Sequence, residues 1–139
     1  MRRKKPHISV FLLTRAYEQR MIKEDKVVIT AFSGENRLSS REVTVDDYYD
    51  EEHPEFDDCD YIRDHRIDCV EIVMDAYDDH KEYKNYYDEQ GRLYRSESNE
   101  NGELFTDIMN YDEIGLLSEE HICYDVNGTP HSEKKIYRK

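Results

Sequence analysis

The chain has 139 residues, a length that suits one domain, and carries 38% charged residues and a net charge of −13. The charge is segregated: Arg2, Arg3, Lys4 and Lys5 open the chain and Lys134, Lys135, Arg138 and Lys139 close it, while residues 6–132 hold 12 bases against 32 acids, or −20. A field of that sign excludes nucleic-acid phosphates and anionic membranes as the main ligand and favours basic protein surfaces.

Apolar residues make up 37% of the chain, and twelve of them are Tyr. That predicts a thin core in which tyrosine rings supply much of the buried area and keep their hydroxyls wet. Cys59, Cys69 and Cys123 form no CxxC pair, so a disulfide scaffold is excluded. The start, MRRKK followed by HISVFLL, imitates a signal peptide, but its apolar run is only Ile8 to Leu13 and no small-residue cleavage site follows. No segment approaches the roughly 20 apolar residues of a membrane helix. A cytoplasmic protein is expected.

In chain order, residues 7–13 read as a buried strand. Residues 14–24 fit two readings: a short helix capped by Thr14 with Tyr17 and Met21 on one face, or a strand continuing to Ile22. Residues 27–32 (VVITAF) are a strand by β-branched content. Ser33-Gly34-Glu35-Asn36 is a turn, and Glu42 to Val45 a short strand. The run 46–60, DDYYDEEHPEFDDCD, carries nine acids and no Lys or Arg, with Pro54 inside it. Like charges at that density repel, which predicts a solvated loop with Tyr48, Tyr49 and Phe56 as anchors to the sheet.

From residue 68 a period of two sets in. Val70, Ile72, Met74 and Ala76 alternate with Glu71, Val73 and Asp75, giving one apolar face. Tyr77-Asp78-Asp79-His80-Lys81 reads as a degenerate turn copy, and Tyr83, Asn85 and Tyr87 follow on one face. Then one phrase returns four times: Tyr87-Asp88-Glu89-Gln90-Gly91, Ser98-Asn99-Glu100-Asn101-Gly102, Tyr111-Asp112-Glu113-Ile114-Gly115 and Tyr124-Asp125-Val126-Asn127-Gly128. Its glycines are 11, 13 and 13 residues apart, and Leu93, Leu104, Leu117 or Pro130 stands two residues beyond. Asp or Asn opens a turn by accepting a backbone N–H two residues on, and Gly takes the positive φ. Strands of seven to nine residues remain between turns, with 103–111 and 116–124 among them. The predicted fold is mostly β: an antiparallel meander of repeated hairpins over 68–139, with a small N-terminal β or α+β portion, 1–67, on the same sheet.

Over about residues 77–139 the phrase YD-x-x-G-x-L resembles bacterial YD-repeat proteins of the Rhs and wall-associated class. It is also similar to antitoxins built from weak MORN-like repeats. The resemblance implies hairpins stacked in one sheet and a binding role without catalysis. It carries over no catalytic residue, and the first 70 residues match neither family.

No GxSxG, Gly-rich phosphate loop or HExxH is present, so no reaction is specified. No Cys and His pair has zinc-finger spacing, and the acidic run lacks the DxDxDG order of a calcium loop. Neither metal nor cofactor is expected. The remaining signal is acid interleaved with tyrosine. One patch is Asp46, Asp47, Tyr48, Tyr49, Asp50, Glu51, Glu52, Glu55, Asp57, Asp58 and Asp60; a second is Asp78, Asp79, Glu82, Tyr83, Tyr86, Tyr87 and Asp88. Carboxylates steer a basic partner and tyrosines give contact area at low entropic cost. The expected function is a non-enzymatic inhibitor of a basic protein, of the immunity or antitoxin type. The alternatives are a nucleic-acid mimic that blocks a defence nuclease, of the anti-restriction or anti-CRISPR type, and a small metal-binding or structural β-repeat domain.

Overall fold

The computed structural model describes residues 26–76 and 79–138. The strand expected over 7–13, the segment 14–24 and the pair Tyr77-Asp78 lie outside the described residues. Those described form one eight-stranded antiparallel sheet: β1 Lys26–Ser33, β2 Asn36–Val43, β3 Cys69–Ala76, β4 Asp79–Tyr87, β5 Leu93–Glu100, β6 Glu103–Tyr111, β7 Leu116–Tyr124 and β8 Pro130–Ile136. The order across the sheet is β2-β1-β3-β4-β5-β6-β7-β8, a meander from β3 onward. The mostly β fold expected from the repeat is the fold observed. Three short helices, α1 Val45–Asp50, α2 Pro54–Asp57 and α3 Cys59–Asp64, connect β2 to β3.

Cross-strand partners share a face, and successive residues alternate faces. Val27, Ile29 and Ala31 of β1 pair with Met74, Ile72 and Val70 of β3, so two apolar triplets lie side by side. Ile62 of α3 and Ile67 just after it complete the buried cluster with Tyr87. Each fully buried aliphatic side chain here contributes about 1.5–3 kcal/mol. Among the described residues the core is thus mainly aliphatic and drawn from β1, β3, α3 and the turn after it, with Tyr87 from the end of β4. Tyrosine supplies one fully buried member, and Tyr48, Tyr61 and Tyr83 flank the cluster. The Tyr87 hydroxyl donates to the Phe56 carbonyl at 3.2 Å, against the expectation that it stays wet.

Two elements depart from the sequence reading. β2 begins at Asn36, not near Glu42; it is an edge strand, exposed from Asn36 to Ser40, so no burial pattern marks it. The run 46–60 is helical where a loop was expected, for reasons of capping given below. At the β3–β4 hairpin Ala76 pairs with Asp79 and Met74 with Lys81. Asp79 and Lys81 are therefore strand residues and not parts of a five-residue turn copy.

Among the described residues no helix covers β5–β8, which are held by their ladders and turns. Lys84 stands between Glu71 and Glu97, Lys81 opposite Glu100, and Lys134 and Lys135 opposite Glu120 and Glu119. The repeated phrase does what its chemistry predicts. Asp88, Asp112 and Asp125 accept N–H bonds from Gln90, Ile114 and Asn127, each two residues on, at 2.8–2.9 Å. Gly91, Gly102, Gly115 and Gly128 all have positive φ. The second copy is tighter than the rest: Glu100 pairs with Glu103, leaving Asn101 (φ 56°) and Gly102 (φ 95°) as a two-residue hairpin turn.

Successive turns are also tied to one another. Arg92 donates to Asp88 Oδ2 at 2.9 Å and lies 4.6 Å over the Tyr111 ring, whose hydroxyl donates to the Leu93 carbonyl. Arg138 donates twice to Asp112, at 2.6 and 2.8 Å, and holds that carboxyl down at about 2.

Gly91 joins the repeat to the helices. A Cβ there would stand 2.1 Å from the Cys59 carbonyl oxygen, and φ is +81°. At Gly128 φ is +80° with nothing within 4 Å. Gly128→Ala is therefore expected to cost about 1 kcal/mol, the left-handed penalty alone. Gly91→Ala adds a backbone clash and should cost about 3 kcal/mol or more. Urea denaturation of the two variants checks this; equal losses would refute the close approach.

Candidate functional site

The acidic run folds because its acids sit where helices want them. Thr44 caps α1, its hydroxyl accepting from Asp47 N at 3.1 Å, and Asp46 and Asp47 occupy the first turn. Pro54 starts α2, followed by Glu55 and Asp57. Asp58 caps α3, its carboxylate accepting from Asp60 N and Tyr61 N at 3.0 and 3.2 Å. Carboxylates near helix N-termini meet free N–H groups and the positive end of the peptide dipoles, each interaction contributing about 0.3–1 kcal/mol. α3 ends with Arg66 in the left-handed region (φ 56°), where Arg66 N bonds Arg63 O and Ile67 N bonds Ile62 O. That closure brings Ile67 beside Ile62 in the core.

Under the helices lies a polar joint. One Arg41 nitrogen on β2 donates to Glu55 Oε1 and to His53 Nδ1, both at 2.6 Å. With Nδ1 accepting, His53 carries its proton on Nε2 and donates to the Tyr48 carbonyl at 2.7 Å. His53 is thus a neutral structural imidazole, stacked on Tyr48 (5.1 Å) and Phe56 (5.3 Å).

The first expected patch divides between this joint and the surface. Glu55 is 8% exposed and turned inward. Tyr48 packs on the core beside Phe56, as anticipated for anchors. Tyr49, expected to be a third anchor, is instead 68% exposed. Asp46, Asp47, Asp50, Glu51, Glu52, Asp57, Asp58 and Asp60 face solvent. Arg41 lies 3.7 Å from Glu51, and Arg63 pairs with Asp60 at 3.2 Å. Among the described residues the carboxylates of Asp46, Asp47, Asp50, Glu52 and Asp57 have no ion-pair partner. A cleft of ≈ 460 Å³ opens between Glu52, His53, Pro54, Asp57, Asp58 and Cys59.

The second expected patch does not form one surface. Alternation along β4 sends Tyr83 to the helix-covered face, half-buried, where burial and the charges of Glu100, Tyr48 and Tyr49 push its phenol up to about 12. Tyr86 points from the opposite face, its hydroxyl donating to Glu97 at 3.3 Å. The same alternation brings Tyr87, four residues after Tyr83, back to the core face, as expected, where burial raises its phenol further. Asp88 is committed to its turn; Asp79 and Glu82 are exposed; Asp78 lies outside the described residues. The sequence reading overlooked Arg41, the cation that seats the acidic layer. An Arg five residues before the acidic run was the available signal.

Among the described residues no group of three or more His, Cys, Asp and Glu is arranged to hold a metal ion, and no helix is long and apolar enough to cross a membrane. What the helical layer offers chemically is attraction of cations.

Two solution tests separate structural from displayed acids. Glu55→Gln should lose about 1–2 kcal/mol of stability in urea, because a charge-assisted, nearly buried bond is weakened. Asp57→Asn should stay within about 0.5 kcal/mol of the native chain. A second pair of carboxylates sets a pH dependence. His80 lies between Glu82 (2.7 Å) and Asp75 (2.5 Å), and both acceptors require it to donate from both nitrogens. Those bonds, first to Glu82 and then to Asp75, raise its pKa above 6.5. A raised folded-state value means the stabilisation is complete below 6.5 and is lost as pH rises through the raised value. Denaturation midpoints should therefore fall with rising pH more steeply in the native chain than in His80→Gln; parallel curves would refute the assignment.

Compared with protein-family models, with characterised proteins and with solved structures, the chain gives no match.

Proposed function

We propose that this is a non-enzymatic binding protein that inhibits a basic protein partner, in the manner of an immunity protein or antitoxin. The observation that carries the reading is where the cations go. Lys81, Lys84, Lys134 and Lys135 stand opposite glutamates in the ladders, and Arg92 and Arg138 tie turns together. Arg41 and Arg63 serve the helical layer's own flanks. The outer carboxylates of α1 and α2 are left without a paired cation among the described residues, on elements packed onto the core of the sheet. Unpaired like charges in helices cost stability, so their concentration on one supported layer fits a surface kept for a complementary charge. Where the partner's basic surface is a phosphate-binding groove, the same layer would act as a nucleic-acid mimic.

Capture from a lysate of the native host, at low salt and at about 1 M salt where screening shortens to about 3 Å, tests the reading. A basic protein should be retained at low salt and released at high salt. Replacing Asp46, Asp47, Asp50, Glu52 and Asp57 by Asn or Gln should abolish capture while circular dichroism stays unchanged. Recovery of no basic protein at low salt, or capture that survives the replacements, would overturn it. Competition of the captured partner by duplex DNA or RNA would identify the mimic form.

A further inference from the structure

We infer that the outer face of α1, made of Tyr49 with Asp46 and Asp50, is a receptor for arginine side chains of the basic partner and discriminates them from lysine. The inference rests on the acidic-surface reading and adds to it the identity of the cation.

The helix spacing makes the face. Val45 and Tyr48, three apart, pack toward the core. Asp46, Tyr49 and Asp50, at i, i+3 and i+4, then share the opposite side and are all exposed. Tyr49 is 68% exposed, more than Tyr94 or Tyr137. A ring so placed is open to contact by a second surface.

The ring is also held in place. Its centroid lies 5.1 Å from that of Tyr48, edge-on at 73°, and Tyr48 in turn stacks on His53, which Arg41 fixes to β2. An anchor supported through a buried aromatic row loses little freedom on binding.

The chemistry then selects the cation. A guanidinium is planar and weakly hydrated: it can lie on an aromatic face while its edge donates to carboxylates. An ammonium is a compact, strongly hydrated point charge that gains less from the ring. The same three groups are already assembled inside this molecule, where Arg92 lies 4.6 Å over Tyr111 and donates to Asp88 at 2.9 Å. On α1 the tyrosine and the carboxylates are present, and no arginine pairs with Asp46 or Asp50 among the described residues.

The test uses the full chain and two synthetic peptides of equal length, one of arginines and one of lysines, titrated at low salt. Native protein should bind the arginine peptide about two- to fivefold more tightly than the lysine peptide. In Tyr49→Leu, which keeps apolar volume and removes the ring, the ratio should fall to about one. Tyr49→Phe should keep it, and thermal melting should show all three proteins equally folded. Equal binding of the two peptides by native protein, or a preference that persists in Tyr49→Leu, would overturn the arginine receptor and leave the acidic surface intact. Failure of both peptides to bind would overturn the acidic-surface reading and this inference together.

Discussion

Everything beyond the first strands depends on one packing event, the pressing of Ile62 and Ile67 onto the apolar stripes of β1 and β3. A chain with 37% apolar residues has material for one such contact and little more. Where the stripes of Val27, Ile29 and Ala31 meet those of Val70, Ile72 and Met74, the sheet has a second layer. The strands after β4 extend that platform without a helical cover among the described residues. An isolated hairpin is marginal in water, so these strands draw stability from their attachment to the covered half. They add to it through ladder charges, Asx turns and arginine ties. The meander order helps, because each new strand pairs with its predecessor and closes only a short loop.

The helical layer meets two opposed demands. It must cover the core, and its run 46–60 carries nine acids in fifteen residues with no Lys or Arg. Local electrostatics reconcile them in part. Caps at Thr44 and Asp58 and acids in each first turn convert repulsion into attraction to free N–H groups. Arg41 then reaches across from the edge strand and neutralises the one carboxylate that had to be buried. The outward carboxylates Asp50 and Glu52, outside any first turn, gain nothing of this kind. Selection for stability alone would favour a mixed surface there, which is why the layer, and not the longer repeat, carries the functional reading.

How much of this could be read from the sequence varies with how strongly each segment is constrained. β3 was plain because one face is buried and the other wet, so alternation shows through. The turns at 88–91, 112–115 and 125–128 were plain because a side-chain acceptor and a positive φ admit few residue types. β2 was half hidden, since an edge strand exposed over its first five residues has no reason to alternate. The helices were hidden by their charge. Counting acids predicts repulsion, whereas their positions relative to Thr44, Pro54 and Asp58 predict capping, and position prevailed. The same oversight affected the site. Acid count marked the right stretch but could not tell Glu55, turned to Arg41, from Asp57 beside it. In β4 the shared face of Tyr83 and Tyr87 was legible from alternation, and the same alternation sends Tyr86 to the other side, so the three do not form one patch.

Several cations among the described residues differ in what they hold, although Lys135, 5.5 Å over the Tyr137 ring and opposite Glu119, also joins a ring and an acid. Lysines serve in the ladders, where a carboxylate stands directly opposite and a point charge suffices. Arginines serve where one side chain must hold several groups at once. Arg41 binds Glu55 and His53; Arg92 binds Asp88 and covers Tyr111; Arg138 spans Asp112 and the Gly115 carbonyl. A planar group with five donors can bond several such partners at once in fixed directions, which a point-like ammonium does less well. The exposed face of α1 likewise carries an aromatic ring, supported by Tyr48, and two exposed carboxylates, Asp46 and Asp50. Its resemblance to the Arg92 joint follows from the same constraint. In a protein short of apolar area, an aromatic ring and an acid together recruit more binding energy from an arginine than either recruits alone.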